Sequence, residues 1–349
     1  MVAPETGDTF KRYQIDGDFG IESLNIKEAT ISALGAHQVR IAVKATSINY
    51  RDLLICKGLY DPNLRKPAVP LSDGAGEIVE IGTCVKRVKV GNRVMGAFMP
   101  RWISGSPNYE VVRVALGGGG DEGMLSQYVV LSEEAVVEIP AHLSFEEAAT
   151  LPCAALTAWH ALFEDDCLKP GQTVLTQGTG GVSLFAIQFA QAAGAQLIST
   201  SGSDEKIAKM KNMGVMNTIN YKQKPAWGNE TLKLTSMRGV DHIVEVGGGG
   251  TLGESFKAAK IGGHIALIGV LSGAQSQVNP MAILMKAIRL QGVYVGSRSM
   301  FESMNDTISL HKIKPIIDRI FNFEEAQDAL RYMESAQHFG KIVIRVGGN

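Results

Sequence analysis

One short stretch restricts the fold more than any other. Thr173–Gln177 is a short apolar run that passes into Gly178-Thr179-Gly180-Gly181-Val182-Ser183 and on through a sparsely charged helical stretch, Val182–Ala193. A chain turning this sharply out of a strand needs residues without bulk. A helix beginning there points unsatisfied backbone N–H groups at any anion that approaches. Gly178 and Gly180 meet the first need, and Ser183 stands where the third glycine of a G-x-G-x-x-G pattern would fall, still small enough for close helix–strand contact. A glycine pattern alone is weak. Here a strand precedes it, a helix follows and a second strand–helix unit stands behind, which is the context of a dinucleotide site. Gly178, Thr179, Gly180, Gly181 and Val182 are therefore expected at a pyrophosphate.

The second unit comprises a strand, Gln196–Thr200, and a helix, Asp204–Met213, ended by Gly214 and expected to be capped by Asp204. Thr218–Asn220, His242–Val246, His264–Val270 and Leu290–Val295 read as further strands, with helical segments between them. Such alternation predicts an α/β fold: a doubly wound parallel sheet with helices on both faces. The end of the second strand bears on the cofactor. NAD-preferring sites usually place a carboxylate there, about 20 residues past the glycines, to hold the ribose 2′-OH. This chain has Thr200-Ser201-Gly202-Ser203-Asp204-Glu205-Lys206 instead. Hydroxyl donors with a cation in the next helical turn suit a 2′-phosphate. The pattern favours NADP(H) over NAD(H), with Ser201, Gly202, Ser203 and Lys206 at the phosphate. The alternative for Lys206 is an ordinary solvated helix lysine.

Residues 1–150 read as β-rich, with strands at Val39–Ala45, Glu77–Ile81, Arg93–Ala97 and Gln127–Leu131. A long irregular stretch, Phe98–Gly123, contains Gly117-Gly118-Gly119-Gly120 and is expected to be either a flap beside a cleft or a plain surface excursion. Near the other end, Phe323–Ser335 is an amphipathic helix, and Lys341–Val346 is a strand expected to return to the first domain. A length of 349 residues suits two domains. A net charge of −1, evenly spread, offers no field for nucleic acid and no basic membrane patch. The four cysteines, Cys56, Cys84, Cys153 and Cys167, form no C-x-x-C and read as reduced thiols of a cytoplasmic protein. The N-terminal residues lack the pattern of a secretory leader, and no apolar run approaches the roughly 18 residues of a membrane span.

Several further motifs fall together: Ser47-Ile48-Asn49-Tyr50-Arg51-Asp52 with Gly58-Leu59-Tyr60, Asp73-Gly74-Ala75-Gly76-Glu77-Ile78-Val79, Leu168-Lys169-Pro170-Gly171, Asn220-Tyr221, and His338-Phe339-Gly340-Lys341-Ile342-Val343. With Gly178–Ser183 they make nearly the whole chain resemble the medium-chain dehydrogenase/reductase superfamily, in its zinc-independent, quinone-oxidoreductase-like branch. The resemblance implies a GroES-like β-rich catalytic domain (1–150 and 298–349), a Rossmann domain (151–297), an active site between them, and a homodimer or homotetramer. Zinc alcohol dehydrogenases of the superfamily carry Cys where this chain has Asn49, His-Glu where it has Ser72-Asp73, and Cys where it has Cys153. They also need four cysteines in a lobe between about residues 95 and 125, where this chain has none. No metal is therefore expected.

The resemblance further places Asn49 and Tyr60 at the substrate and cofactor. Asn49 would donate amide hydrogens. Tyr60 would polarise an oxygen or pass a proton, unless it is only a packing aromatic. Lys206 and Tyr221 would meet the adenosine phosphate, Thr157 the nicotinamide, and Gly269, Val270 and Lys341 other parts of the cofactor. His160, His242 and His264 read as core or surface histidines. The expected activity is NADPH-dependent hydride transfer to an activated C=C, as in an enone or quinone, or to a C=O of a small molecule. The alternatives are a metal-free secondary-alcohol dehydrogenase and an NADPH-binding regulatory protein with little turnover.

Overall fold

A computed structural model describes residues 4–118, 120–275 and 277–347, so the first three residues and Gly119 of the glycine run lie outside the described residues. The chain divides into two compact units, Met1–Leu156 with Gly296–Asn349, and Thr157–Val295. The first unit contributes β1 (Thr9–Ile15), β2 (Leu24–Thr30), β3 (Gln38–Ile48), β4 (Asp73–Ile81), β5 (Arg93–Gly96), β6 (Tyr128–Ser132) and β7 (Val136–Glu138). The second holds β8 (Thr173–Gln177), β9 (Gln196–Ser201), β10 (Asn217–Asn220), β11 (Val240–Glu245), β12 (Ala259–Leu267) and β13 (Arg289–Gly292). Two last strands, β14 (Ile317–Asn322) and β15 (Lys341–Arg345), belong to the first unit again.

The first unit is built around β3, which is buried along nearly its whole length. β4 pairs antiparallel along one edge of β3, from Val39↔Ile81 to Ser47↔Asp73. Two strands share the other: β6 takes Gln38–Ala42 and β15 takes Ala45–Ile48. The return of the C-terminal strand is thus found, and β14 lies parallel outside it. Val39, Ile41, Val43 and Ile48 pack with Ile78, Val94, Leu131, Ile342 and Ile344. Each fully buried aliphatic side chain of this kind contributes about 1.5–3 kcal/mol. The amphipathic segment near the C-terminus resolves into a 3-10 turn, Phe323–Glu325, and an α-helix, Ala326–Glu334, whose buried Ala326, Ala329, Leu330 and Met333 line one face.

The second unit is a six-stranded parallel sheet in the order β10-β9-β8-β11-β12-β13. This is the doubly wound Rossmann order, and its reversal point lies between β8 and β11, where the carboxyl ends of the strands open a crevice. Several expected boundaries shift, two of them by three residues at the end of the sheet's later strands. β12 ends at Leu267 rather than Val270, because the chain turns out of the ladder at Gly269, where a Cβ would stand 2.7 Å from the Val246 carbonyl oxygen. β13 covers Arg289–Gly292 rather than Leu290–Val295. Among the described residues no helix is long and apolar enough to cross a membrane.

Candidate functional site

In the second unit the glycine turn follows β8 directly. Gly178 has φ +72°, a conformation glycine adopts without steric cost. A Cβ added at Gly178 or Gly180 would meet nothing within 4 Å, so this turn is open toward an incoming ligand. Gly180 caps the helix Gly181–Ala192, which leaves the N–H groups of its first turn available to an anion. Thr179 is buried, while Gly181 and Val182 are half-buried at the helix start. Ser183, in the place of the third glycine, donates its hydroxyl to the Gln177 carbonyl at 2.6 Å. The substitution thereby ties the helix to the strand it leaves.

At the end of β9 the residues expected around an adenosine phosphate stand together. Gly202 lacks a Cβ where the Tyr221 hydroxyl would lie 2.7 Å from one, so the phenol rests against its backbone. The Tyr221 N–H donates to the Ser201 carbonyl at 3.1 Å. The expected helix cap needs correction: Ser203, not Asp204, is the cap, its Oγ accepting from the Lys206 N–H at 3.3 Å. Asp204 instead accepts side-chain hydrogen bonds from Asn220 (2.7 Å) and Gln223 (2.9 Å). Gly269 and Val270 follow β12, and Val270 is exposed, with its Cα packed on Gly248. Thr157 is buried at the start of this unit.

Sequence reasoning missed the centre of this end of the sheet. The buried Glu245 carboxylate accepts from the Gly247 and Gly248 N–H groups (2.8 and 3.0 Å), from the Thr251 and Ser255 hydroxyls, and from Gln177 Nε2 at 2.6 Å. It fixes the loops after β8 and β11 at the crevice. The only local signal was an acidic residue ahead of Val246-Gly247-Gly248-Gly249-Gly250.

The first unit assembles a different group. Asn49 directly follows β3 and caps the helix Tyr50–Cys56, in a capping box with Asp52. Its backbone N–H donates to Asp52 Oδ2 at 2.8 Å. Its amide oxygen accepts from Lys341 Nζ at 2.6 Å, and its Nδ2 donates to Ser72 Oγ at 3.3 Å. Lys341, the first residue of β15, is 3% exposed and also donates to the Ile48 carbonyl at 2.9 Å. It stands 3.5 Å from the Asp73 carboxylate, which is 0% exposed and takes the Ser47 and Ser72 hydroxyls at 3.2 Å each. The ammonium fixes the amide's sense: its oxygen must face the cation, so the group left to present outward is the N–H₂.

Asp52 lies beneath, fully buried, and burial pushes its carboxyl up to about 6 against the partial relief given by Arg51. Cys153 sits in a π-helical turn, Leu151–Ala155, a feature frequent at functional sites. Burial, then the Asp73 charge, drives its thiol well above the usual range. Tyr60 is 51% exposed, with its ring 5.1 Å from the Arg51 guanidinium. The same guanidinium lies 4.7 Å from the Phe98 ring and donates to the Leu116 carbonyl at 3.0 Å. Arg51 thereby ties Tyr60 to both ends of the long irregular stretch. That stretch is pinned by buried Phe98, Trp102 and Leu116, while Tyr109 in its short middle helix, Tyr109–Val112, is exposed. Asn49 and Lys341 are thus in direct contact, and Tyr60 joins the group through Arg51.

Comparison with known proteins agrees with this architecture. A family profile described as "Alcohol dehydrogenase GroES-like domain" matches residues 35–141, and one described as "Zinc-binding dehydrogenase" matches residues 181–309. A zinc-type alcohol dehydrogenase-like protein of Schizosaccharomyces pombe is 41% identical, over 96% of this chain and 99% of that protein. Quinone oxidoreductase-like protein 2 of Bos taurus is 29% identical, over 92% of this chain and 88% of that one. Among solved structures, a putative alcohol dehydrogenase from Sinorhizobium meliloti 1021 superposes with a TM-score of 0.90 at 36% identity, covering 98% of this chain and 100% of that chain. A structure described as an NAD-dependent alcohol dehydrogenase gives 0.88 at 30% identity, covering 97% and 100%.

Proposed function

The chain belongs to the medium-chain dehydrogenase/reductase superfamily, and from that membership we propose that it is a metal-independent, NADPH-linked reductase of small molecules. Its acceptor would be the activated C=C of an enone or quinone, or a C=O. The observation that carries this reading is Lys341. Its ammonium lies against Asn49 and Asp73, two of the positions where zinc members of the superfamily hold metal ligands. A catalytic zinc would need three or four converging N, S or O ligands. Asn49, Ser72, Asp73 and Cys153 make a poor set, and a divalent ion beside a buried ammonium would meet direct repulsion. Both points argue against a zinc ion among these residues.

The choice of NADPH rests on the end of β9. One solved neighbour is described as NAD-dependent, but β9 ends on the Ser201 hydroxyl with no carboxylate, the helix that follows brings Ser203 and Lys206, and Tyr221 follows β10. Those groups would hold the 2′-phosphate, and Gly178–Val182 would hold the pyrophosphate. NADPH, when bound, supplies the hydride. Asn49 would donate from Nδ2 to an oxygen that gains charge as hydride arrives, since Lys341 already occupies its acceptor. Tyr60, half-exposed and beside a guanidinium, would donate a hydrogen bond or a proton to the same oxygen. A cytoplasmic homodimer or homotetramer without nucleic-acid or membrane partners completes the proposal, in keeping with a net charge of −1.

The test is NADPH consumption against a panel of quinones, enones, aldehydes and ketones, with and without EDTA. Turnover of at least one carbonyl-conjugated acceptor, preference for NADPH over NADH and indifference to EDTA are expected. Activity lost to the chelator and restored by zinc, in wild type and in His264→Gln alike and with the fold intact, would overturn the metal-free reading. No turnover with tight NADPH binding would favour a regulatory protein.

A further inference from the structure

Two histidines set aside in reading the sequence lie side by side in the Rossmann unit. His242 on β11 and His264 on β12 are direct partners in the parallel register, and Arg289 on β13 is the next partner in the same row. Side chains in one row of a parallel sheet project from the same face. Both imidazoles are almost wholly buried, 2% and 1% exposed, with ring centres 5.8 Å apart. Asp166, in the loop after the helix Leu156–Phe163, reaches over them. One ligand atom from each of Asp166, His242 and His264 lies within 4.8 Å of the others, the one such group of three among the described residues.

The protonation pattern suits ligation. Gln172 Oε1 accepts from the Lys169 N–H at 2.8 Å, so it is an oxygen, and His242 Nε2 at 3.2 Å must be the donor to it. The lone pair of His242 therefore sits on Nδ1. That atom, together with both ring nitrogens of His264, is buried without a hydrogen-bond partner among the described residues. An orphaned buried polar group costs about 1–3 kcal/mol, and three in one place call for an occupant. Gln172 then plays the part of the outer hydrogen-bond partner that orients a ligating imidazole.

We propose that Asp166, His242 and His264 form a binding site for a divalent ion of the zinc class. It lies in the Rossmann unit, apart from the cofactor turn: His242 pairs with Val174, four residues before Gly178, or about 13 Å along the strand at ~3.3 Å per residue. Two imidazoles and a carboxylate make a borderline donor set that zinc takes at about 2.0–2.2 Å, with ligands about 3.3–3.5 Å from each other in a tetrahedron. Closing from at most 4.8 Å asks the three side chains to approach one another by up to about 1.5 Å. The Asp166 side chain is 33% exposed, which gives the ion a way in and a fourth position for water. Arg289 is ion-paired with the same carboxylate and so competes with the ion. Asp165 and Asp241 add negative charge nearby, and Asp241 is itself paired with Lys260. Bound there, the ion would join β11 and β12 to the loop that enters β8.

The test uses the full chain stripped with chelator, dialysed and titrated with zinc chloride. Calorimetry and elemental analysis should find about one ion per chain, and cobalt substitution should give the visible absorption of a tetrahedral N/O site. Asp166→Asn and His264→Gln should each weaken zinc at least ~100-fold, since loss of even an outer-shell partner costs 10–100-fold. Arg289→Gln should tighten it several-fold by releasing the carboxylate. Asn49→Ala and Cys153→Ser should leave it unchanged. The proposal is overturned if the stripped chain takes up no zinc at micromolar concentrations. It is equally overturned if uptake survives Asp166→Asn, a partly exposed change that keeps the fold, or disappears in Cys153→Ser. None of these readouts depends on catalytic turnover, so this site and the metal-free reductase reading stand or fall separately.

Discussion

Replacing Lys341 by methionine keeps most of the stem's volume and deletes one positive charge from a place with almost no water. The ammonium is 3.5 Å from Asp73 Oδ2, and the two side chains are 3% and 0% exposed. At an effective dielectric of about 20 that separation is worth ~5 kcal/mol. Experience with buried pairs broken on one side gives about 3–5 kcal/mol, because the remaining charge is left uncompensated. Asp73 would keep only the Ser47 and Ser72 hydroxyls, both at 3.2 Å. Lys341→Met should therefore cost the first unit about 3–5 kcal/mol, and adding Asp73→Asn should recover most of it. The assay is amide exchange across the β3–β15 ladder, which reports this unit without requiring the whole chain to unfold in one step. Turnover should fall in both variants, because the Asn49 amide loses the contact that fixes its sense. A loss below ~1 kcal/mol for the single variant, with normal turnover, would refute the idea that the ammonium anchors Asn49 and Asp73.

Lys206→Ala should weaken NADPH by about 1–3 kcal/mol, the range for a charge-assisted contact, and leave NADH nearly unchanged, as read by titration of each cofactor; equal losses would place Lys206 away from the phosphate. Tyr60→Phe should lower kcat roughly 10²-fold at unaltered NADPH affinity if its hydroxyl serves the reacting oxygen; parental turnover would make the phenol a wall. Asp52 titrates near 6 in the folded chain against 3.8 in the open one, so the folded state binds the extra proton between those values and stability is lost as pH rises through about 6. Asp52→Asn should then stabilise the protein by roughly 3 kcal/mol at pH 8 and by little at pH 4, measured by denaturation at both.

Much of this molecule is legible from local pattern, and the remainder is not, for identifiable reasons. The β8 turn, the alternation through β13 and the strand at Lys341 are visible because apolar period and glycine placement are local properties. The β1–β2 ribbon escaped notice because Leu24–Thr30 carries Asn, Lys, Glu and Thr on a largely exposed strand, so no apolar alternation marks it. Ser203 and Asp204 are both good caps, and only backbone geometry decides between them. Lys341 was expected at the cofactor by resemblance; its ammonium is engaged by Asn49, Ile48 and Asp73, a contact between residues 292 apart for Asn49. Nor can sequence say that His242 and His264 share a row, since parallel register is set by the helices between strands.

The edge of β3 is divided between β6 and β15, and this has a consequence for synthesis. A ribosome releases β3 long before β15 exists; Ile48 and Lys341 are 293 residues apart. Domains usually fold in the order they emerge. In this chain the stretch Thr157–Val295 is finished first and can settle by itself, while the earlier-made unit waits with the Ala45–Ile48 half of a strand edge uncovered. An open, apolar strand edge is a template for pairing with other chains. Until the last strand arrives, the nascent protein carries an adhesive edge, and the residue that closes it, Lys341, is the one that also completes the polar group around Asn49. Assembly of the fold and of the candidate site is thus one event, reached only once β15 has been made.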